Sequence, residues 1–113
     1  GLSSAWIYDK SNVYLNSFCF GFRPIINIDT SFFAYFFRSE NFRRKVVMLA
    51  QGSTRFNISK KSVMDIIVCY PTLEEQAKIG QFFKNLDSKI ENEEKLLELY
   101  KNMKKSLLQK MFV

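Results

Sequence analysis

Ile79, Phe83, Leu86, Ile90, Glu93, Leu97, Tyr100, Lys104, Leu107 and Met111 follow one another at alternating intervals of four and three. That 3.5-residue repeat is the mark of a coiled-coil seam. Only Glu93 and Lys104 among them are neither apolar nor aromatic, and no Gly or Pro interrupts the chain after Gly80. The pattern predicts one helix from Leu73 to Phe112, roughly 60 Å long at a rise of 1.5 Å per residue. About 70 residues then remain for a globular head, close to the lower limit for an independent core. A head of that size cannot cover both faces of such a helix. Most of the seam therefore requires a second helix, from another copy of the chain or from a partner.

Eight of the twelve Phe residues precede Gly52. That is core material without room for all of it. The first residues already read as strand, so the chain reads as a fragment whose partner strands lie upstream. Charge divides unevenly. Residues 1–71 hold nine Lys/Arg, including every Arg, against four Asp/Glu; residues 72–113 hold eight Lys against seven acids. The helix is thus a balanced, ion-paired surface and the head is the basic part, which points to a polyanionic partner. Cys19 and Cys69 each lie in an apolar run and not in a CxxC, and read as buried reduced thiols of a cytoplasmic protein. With no His in the chain, most zinc sites and His-dependent catalysis are excluded. The Phe-rich run at 32–37 is far too short to span a membrane, so no membrane association is expected.

Turn and cap signals give the order of elements. Ala5–Tyr8 and Val13–Phe20 read as strands, and an extended piece flanked by Gly21 and Pro24 runs to Ile28. Asp29 or Thr30 caps a short helix over Ser31–Arg38, and Ser39 caps another over Glu40–Ala50 with Phe42, Val46 and Leu49 on one face. Gly52 is placed to end it in a left-handed conformation. Ser53–Asn57 reads as a polar loop, Ser59 caps one helical turn, and Ile66–Tyr70 reads as a buried strand stopped by Pro71. Thr72-Leu-Glu-Glu75 has the form of a capping box and marks the start of the long helix.

The best candidate site is the stretch Gln51-Gly-Ser-Thr-Arg55, with Arg43-Arg-Lys45 before it and Lys60-Lys61 after it. Ser53, Thr54 and Arg55 can bond phosphate oxygens, and Arg55 alternatively a guanine edge. The blander alternative is a helix C-cap followed by a solvated basic loop. The spacing is not that of a P-loop. Glu74 and Glu75 point about 100° apart on a helix, and Glu75 is taken by the capping box, so they make no catalytic pair. The aromatic residues interleaved with charge at 32–44 read as core more than as base-stacking platforms.

Three blocks resemble the specificity subunit of type I restriction-modification enzymes: Gly52-Ser-Thr-Arg-Phe-Asn-Ile-Ser59, Ile67-Val-Cys-Tyr-Pro71, and Leu73-Glu-Glu-Gln-Ala-Lys-Ile79 with Leu86-Asp87 and Ile90 beyond it. The ending Lys104-Lys-Ser-Leu-Leu-Gln-Lys-Met-Phe112 is also similar to the end of that family's long helix. Phe20-Gly-Phe-Arg-Pro24, with Ile28-Asp29 and Phe33, looks like the middle of a target-recognition domain. The resemblance implies the following. A complete subunit has two recognition domains, each reading one half of a split DNA site, and two long helices that pair antiparallel and space the half-sites. Those helices also dock the methyltransferase subunits, which bind S-adenosylmethionine and carry the catalysis.

The expectation is an α+β protein. Residues 1–71 would be the C-terminal part of a DNA target-recognition domain with short strands and helices, and residues 72–113 the coiled-coil spacer helix. DNA contact falls to Arg43, Arg44, Ser53, Thr54, Arg55 and Lys61, and helix pairing to the ten seam residues. The partners are double-stranded DNA, the methyltransferase and restriction subunits, and a sister helix or an antiparallel second copy. No catalytic residue, cofactor or metal is expected. The reading from another class is a coiled-coil interaction module without DNA binding.

Overall fold

The computed structural model describes residues 5–50 and 58–112, which form four helices: α1 Thr30–Phe36, α2 Glu40–Leu49, α3 Lys60–Met64 and α4 Leu73–Met111. Each begins where a side chain takes up otherwise unpaired amides of its first turn. Asp29 Oδ1 accepts from Phe32 N at 2.7 Å, Ser39 Oγ from Phe42 N at 3.4 Å, and Ser59 Oγ from Ser62 N at 3.0 Å. At the start of α4 the capping box is reciprocal. Glu75 N donates to Thr72 Oγ1 at 3.4 Å, while Thr72 N and Thr72 Oγ1 donate to Glu75 Oε2 at 3.0 and 2.8 Å. The hydroxyl and then the amide of Thr72 hold the Glu75 carboxyl below its ordinary pKa. α2 ends at Leu49, with Ala50 already extended; Gly52 lies outside the described residues, as do residues 53–57, expected as a polar loop.

The chain divides into two compact units, Gly1–Gln81 and Phe82–Val113, with the residues of α4 shared between them. The core of the first unit is aromatic. Phe32, Phe33, Ala34, Phe42 and Val46 are its buried apolar residues. The Phe37 ring meets Phe42 at 4.9 Å and Phe22 at 5.3 Å, and Phe33 meets Tyr70 edge-on at 5.3 Å. These tilted and edge-to-face pairs suit the ring quadrupole. Of the aromatic run, Phe32, Phe33 and Phe42 are buried and Tyr35, Phe36 and Phe37 half-buried, in line with its reading as core.

Gln76 lies among the first turns of α4 and is only 2% exposed. Both ends of its amide are engaged: Nε2 donates to the Pro71 carbonyl at 2.8 Å, and Oε1 accepts from Asp29 N at 3.1 Å. One turn on, Gly80 is buried against the start of α1. A Cβ there would stand 2.7 Å from Asp29 Oδ1, 2.9 Å from Phe32 N and 3.1 Å from Ser31 Cβ. Gly80 thus permits a close approach that any side chain would block.

The α+β expectation does not hold. Among the described residues there is no strand; the protein is helical. A strand exists only by pairing, and neither Ala5–Tyr8, Val13–Phe20, the piece up to Ile28 nor Ile66–Tyr70 has a ladder partner there. Val13–Phe20 is also interrupted from within. Asn16 Oδ1 accepts from Phe18 N at 2.9 Å and Asn16 O from Cys19 N at 3.0 Å, a side-chain-stabilised turn at the centre of the run. Ile66–Tyr70 is irregular and partly solvated: Ile67 is 84% exposed, and its carbonyl accepts from Lys45 Nζ at 3.0 Å. Cys19 and Cys69 fall in these two runs. Without a sheet to bury them both are free and exposed, not core thiols.

Two outcomes follow. Gly→Ala within a helix ordinarily gains about 1 kcal/mol. At Gly80 the methyl group meets backbone and the cap itself, which costs about 1–3 kcal/mol in overpacking and about 1 kcal/mol in the lost cap. Gly80→Ala should therefore lower the urea midpoint, and a raised midpoint would refute the close approach. Cys19 and Cys69 should both react with a chromogenic thiol reagent without denaturant; reaction only after urea is added would return them to the core.

Candidate nucleic-acid interface and helix surface

The described basic candidates stand on two short helices that pack on each other, α2 and α3. Phe42 and Val46 turn one side of α2 into the core, with Leu49 half-buried beside them, and this fixes where the charged residues stand. Arg43 is half-buried and Arg44 exposed. Arg44 Nε lies 3.2 Å from Glu40 Oε1 in an exposed i,i+4 pair. Lys61 is exposed in α3, next to Lys60. Ser53, Thr54 and Arg55 lie outside the described residues.

Two further cations have defined places that sequence reasoning did not assign. Lys45 Nζ ties α2 to the 66–70 run through the Ile67 carbonyl. The Arg38 guanidinium lies 4.7 Å from the centre of the Tyr35 ring and 5.9 Å from that of Trp6, while its Nε donates to Ala34 O at 3.0 Å. It joins the N-terminal segment to α1 by cation–π contact. The Lys45–Ile67 and Arg38–Trp6 contacts leave no local signal because each joins residues distant in sequence, whereas Tyr35 and Arg38 stand only three residues apart. Among the described residues no cluster of three or more metal-ligating side chains occurs.

α4 is 39 residues long, or about 58 Å. Ile79, Phe83, Leu86, Ile90, Glu93, Leu97, Tyr100, Lys104, Leu107 and Met111 are all exposed, so the apolar seam faces solvent along its length. The remaining surface carries i,i+4 ion pairs. Lys78 Nζ lies 2.6 Å from Glu74 Oε1, and Lys95 Nζ lies 2.7 Å from Glu91 Oε1. The Lys95 hydrogen bond, helped by its charge, lowers the Glu91 pKa. Near the C-terminal end, Lys101, Lys104, Lys105, Leu108, Gln109 and Phe112 line an open basic groove. No helix among the described residues is long and apolar enough to cross a membrane.

A basic head of short helices followed in the chain by a long helix with a 3.5-residue apolar repeat has a counterpart among known families. The family model for the type I restriction modification DNA specificity domain matches residues 3–101, and the chain belongs to that family. The family provides the DNA-specificity component of type I restriction-modification enzymes, in general a non-catalytic one. No curated protein and no solved structure matches the chain.

Proposed function

We propose that this chain is a DNA-reading and assembly component of a type I restriction-modification enzyme acting in the cytoplasm. Residues 1–71 serve as part of a target-recognition domain. Residues 72–113 serve as a spacer helix that sets the distance between half-sites and docks the methyltransferase subunits, and through them the restriction subunit. Methyl transfer and cleavage, with their cofactors, belong to those partners. The observation that carries the reading is the solvent-facing seam of α4, joined to a head with nine Lys/Arg against four acids over residues 1–71.

The seam's two polar residues specify how it is covered. In a parallel, in-register pair Glu93 would face Glu93 and Lys104 would face Lys104, a repulsive arrangement in a poorly solvated seam. An antiparallel pair centred between residues 98 and 99 sets Glu93 against Lys104, Leu97 against Tyr100, Ile90 against Leu107 and Leu86 against Met111. Of the flanking positions, Glu94 falls beside Lys101 and Leu96 beside Met103, while Lys89 falls beside Lys110 and Asp87 beside Leu108. The polar layer fixes register more than it adds stability, since desolvation offsets much of its attraction. The partner is a sister helix or, in its absence, a second copy of this chain.

Glu93→Cys and Lys104→Cys chains, mixed under mild oxidation, should cross-link to each other; a Glu93→Cys chain that cross-links only to itself would make the pair parallel and defeat this register. For the head, Arg43, Arg44 and Lys61, with Ser53, Thr54 and Arg55, form the DNA contact set. Arg43→Ala and Lys61→Ala should each weaken duplex binding evenly across sequences and reduce the salt slope by about one. Arg55→Ala should do the same if Arg55 meets phosphate, and should cost about 1–3 kcal/mol with relaxed specificity at one position if it meets a base. Unchanged affinity and slope would remove the residue from the contact set.

A further inference from the structure

α2 buries Phe42 and Val46 and turns its opposite side to solvent. At about 100° per residue, Arg44 stands diametrically opposite the midpoint of that buried pair. Glu40 and Met48 lie about 40° to either side of Arg44, and Asn41 about 60° away. All four are exposed. Arg43 and Lys45 stand about 100° from Arg44, one on each flank of the helix. The helix has 10 residues, or about 15 Å, and a major groove about 12 Å wide admits such a rod.

The centre of this face has the wrong charge for a phosphate. Glu40 sits beside Arg44, Nε to Oε1 at 3.2 Å, and its carboxylate would repel a backbone oxygen. Base edges make a different demand. A guanine offers two acceptors, O6 and N7, to the fork of an arginine, and the N4 amine of cytosine donates to a carboxylate. The Nε–Glu40 bond uses only one of the five guanidinium N–H groups. It leaves both terminal nitrogens for bidentate contact and restrains the direction of the fork. Asn41 has the paired donor and acceptor that match adenine N7 and N6. Met48 offers an apolar surface of the kind that meets a thymine methyl group. On the flanks the requirement is plain positive charge. Lys45 gives one of its three donors to Ile67 O and keeps two for a phosphate.

Resting on the reading of the head as a DNA-binding domain, we infer that α2 lies in the major groove and reads bases with its outward face. Arg44 and Glu40 address a guanine–cytosine pair and Asn41 a neighbouring adenine, while Arg43 and Lys45 hold the phosphates on either side. This assigns Arg44 to sequence discrimination instead of to general phosphate contact.

The test selects from a pool of DNA duplexes with a randomised core of about 20 base pairs, two helical turns, using the full chain and its variants. Circular dichroism first checks that each variant keeps the helical content of the parent. The parent chain should enrich a motif containing a G·C pair. Arg44→Lys keeps the charge but loses the fork. It should lose preference for that pair by roughly tenfold to a hundredfold, while its affinity for the unselected pool stays within about twofold. Glu40→Gln should relax the same pair, and Asn41→Ala a different one within a helical turn. If the variants enrich the parent motif unchanged, α2 does not read bases, although the head still reads DNA through another surface. If the parent binds duplexes without enriching any motif, the inference also fails and only electrostatic binding is left. If the folded parent binds no duplex at all, the DNA-binding reading falls and takes the inference with it.

Discussion

The first unit depends on a single buried amide. Gln76 donates to the Pro71 carbonyl and accepts from the amide of Asp29. It thereby links the entry to α4 with the residue that caps α1. Asp29 is engaged on its other side as well, with its carboxylate on Phe32 N and against the open face of Gly80. A buried amide left unpaired costs about 1–3 kcal/mol, so each bond holds the other two segments in place. The aromatic cluster then packs on helices whose starts are already fixed. Phe42 meets Phe36 and Phe37 across the turn between α1 and α2, and Tyr70 closes on Phe33 just before Pro71. No side chain among the described residues is completely enclosed. In so thin a core, specific polar links decide more of the geometry than depth of burial does.

What could be read from the sequence was what is settled within four residues. The capping box, the Asp and Ser caps and the apolar face of α2 are local agreements between neighbours, and all of them form as their spacing predicts. The strands were not legible because pairing is a relation between distant segments. Val13–Phe20 and Ile66–Tyr70 have strand-like composition, but composition supplies no partner ladder. Asn16, in the middle of the first run, was the local warning, since its side chain competes for its neighbours' amides. The Gln76–Gly80 link was hidden for a related reason. On a helix surface rich in Glu and Lys, a glutamine reads as one more solvated residue until Asp29 is seen opposite it.

The candidate site divides along the same line. Its charge was visible as clustered Arg and Lys, and the division between basic head and balanced helix follows directly from residue counts. The roles of individual cations were not visible. Arg43, Arg44 and Lys45 are consecutive and chemically alike, yet one is half-buried, one is paired with Glu40 and one holds a backbone carbonyl. Only the position of Phe42 and Val46 in the core separates them. Under the proposed DNA-reading role, this difference would separate cations that discriminate from those that only hold.

Trp6 is the only tryptophan in the chain, and it lies beside the Arg38 guanidinium that also covers Tyr35. The protein therefore contains one indole, which can be excited apart from its tyrosines at the red edge of protein absorption, placed where the N-terminal segment meets α1. Its emission senses that attachment. Far-ultraviolet ellipticity has the opposite bias, since most helical residues belong to α4. The two signals report different parts of one molecule, and whether their melting curves coincide tells directly whether the head and the long helix unfold as one cooperative body or as two.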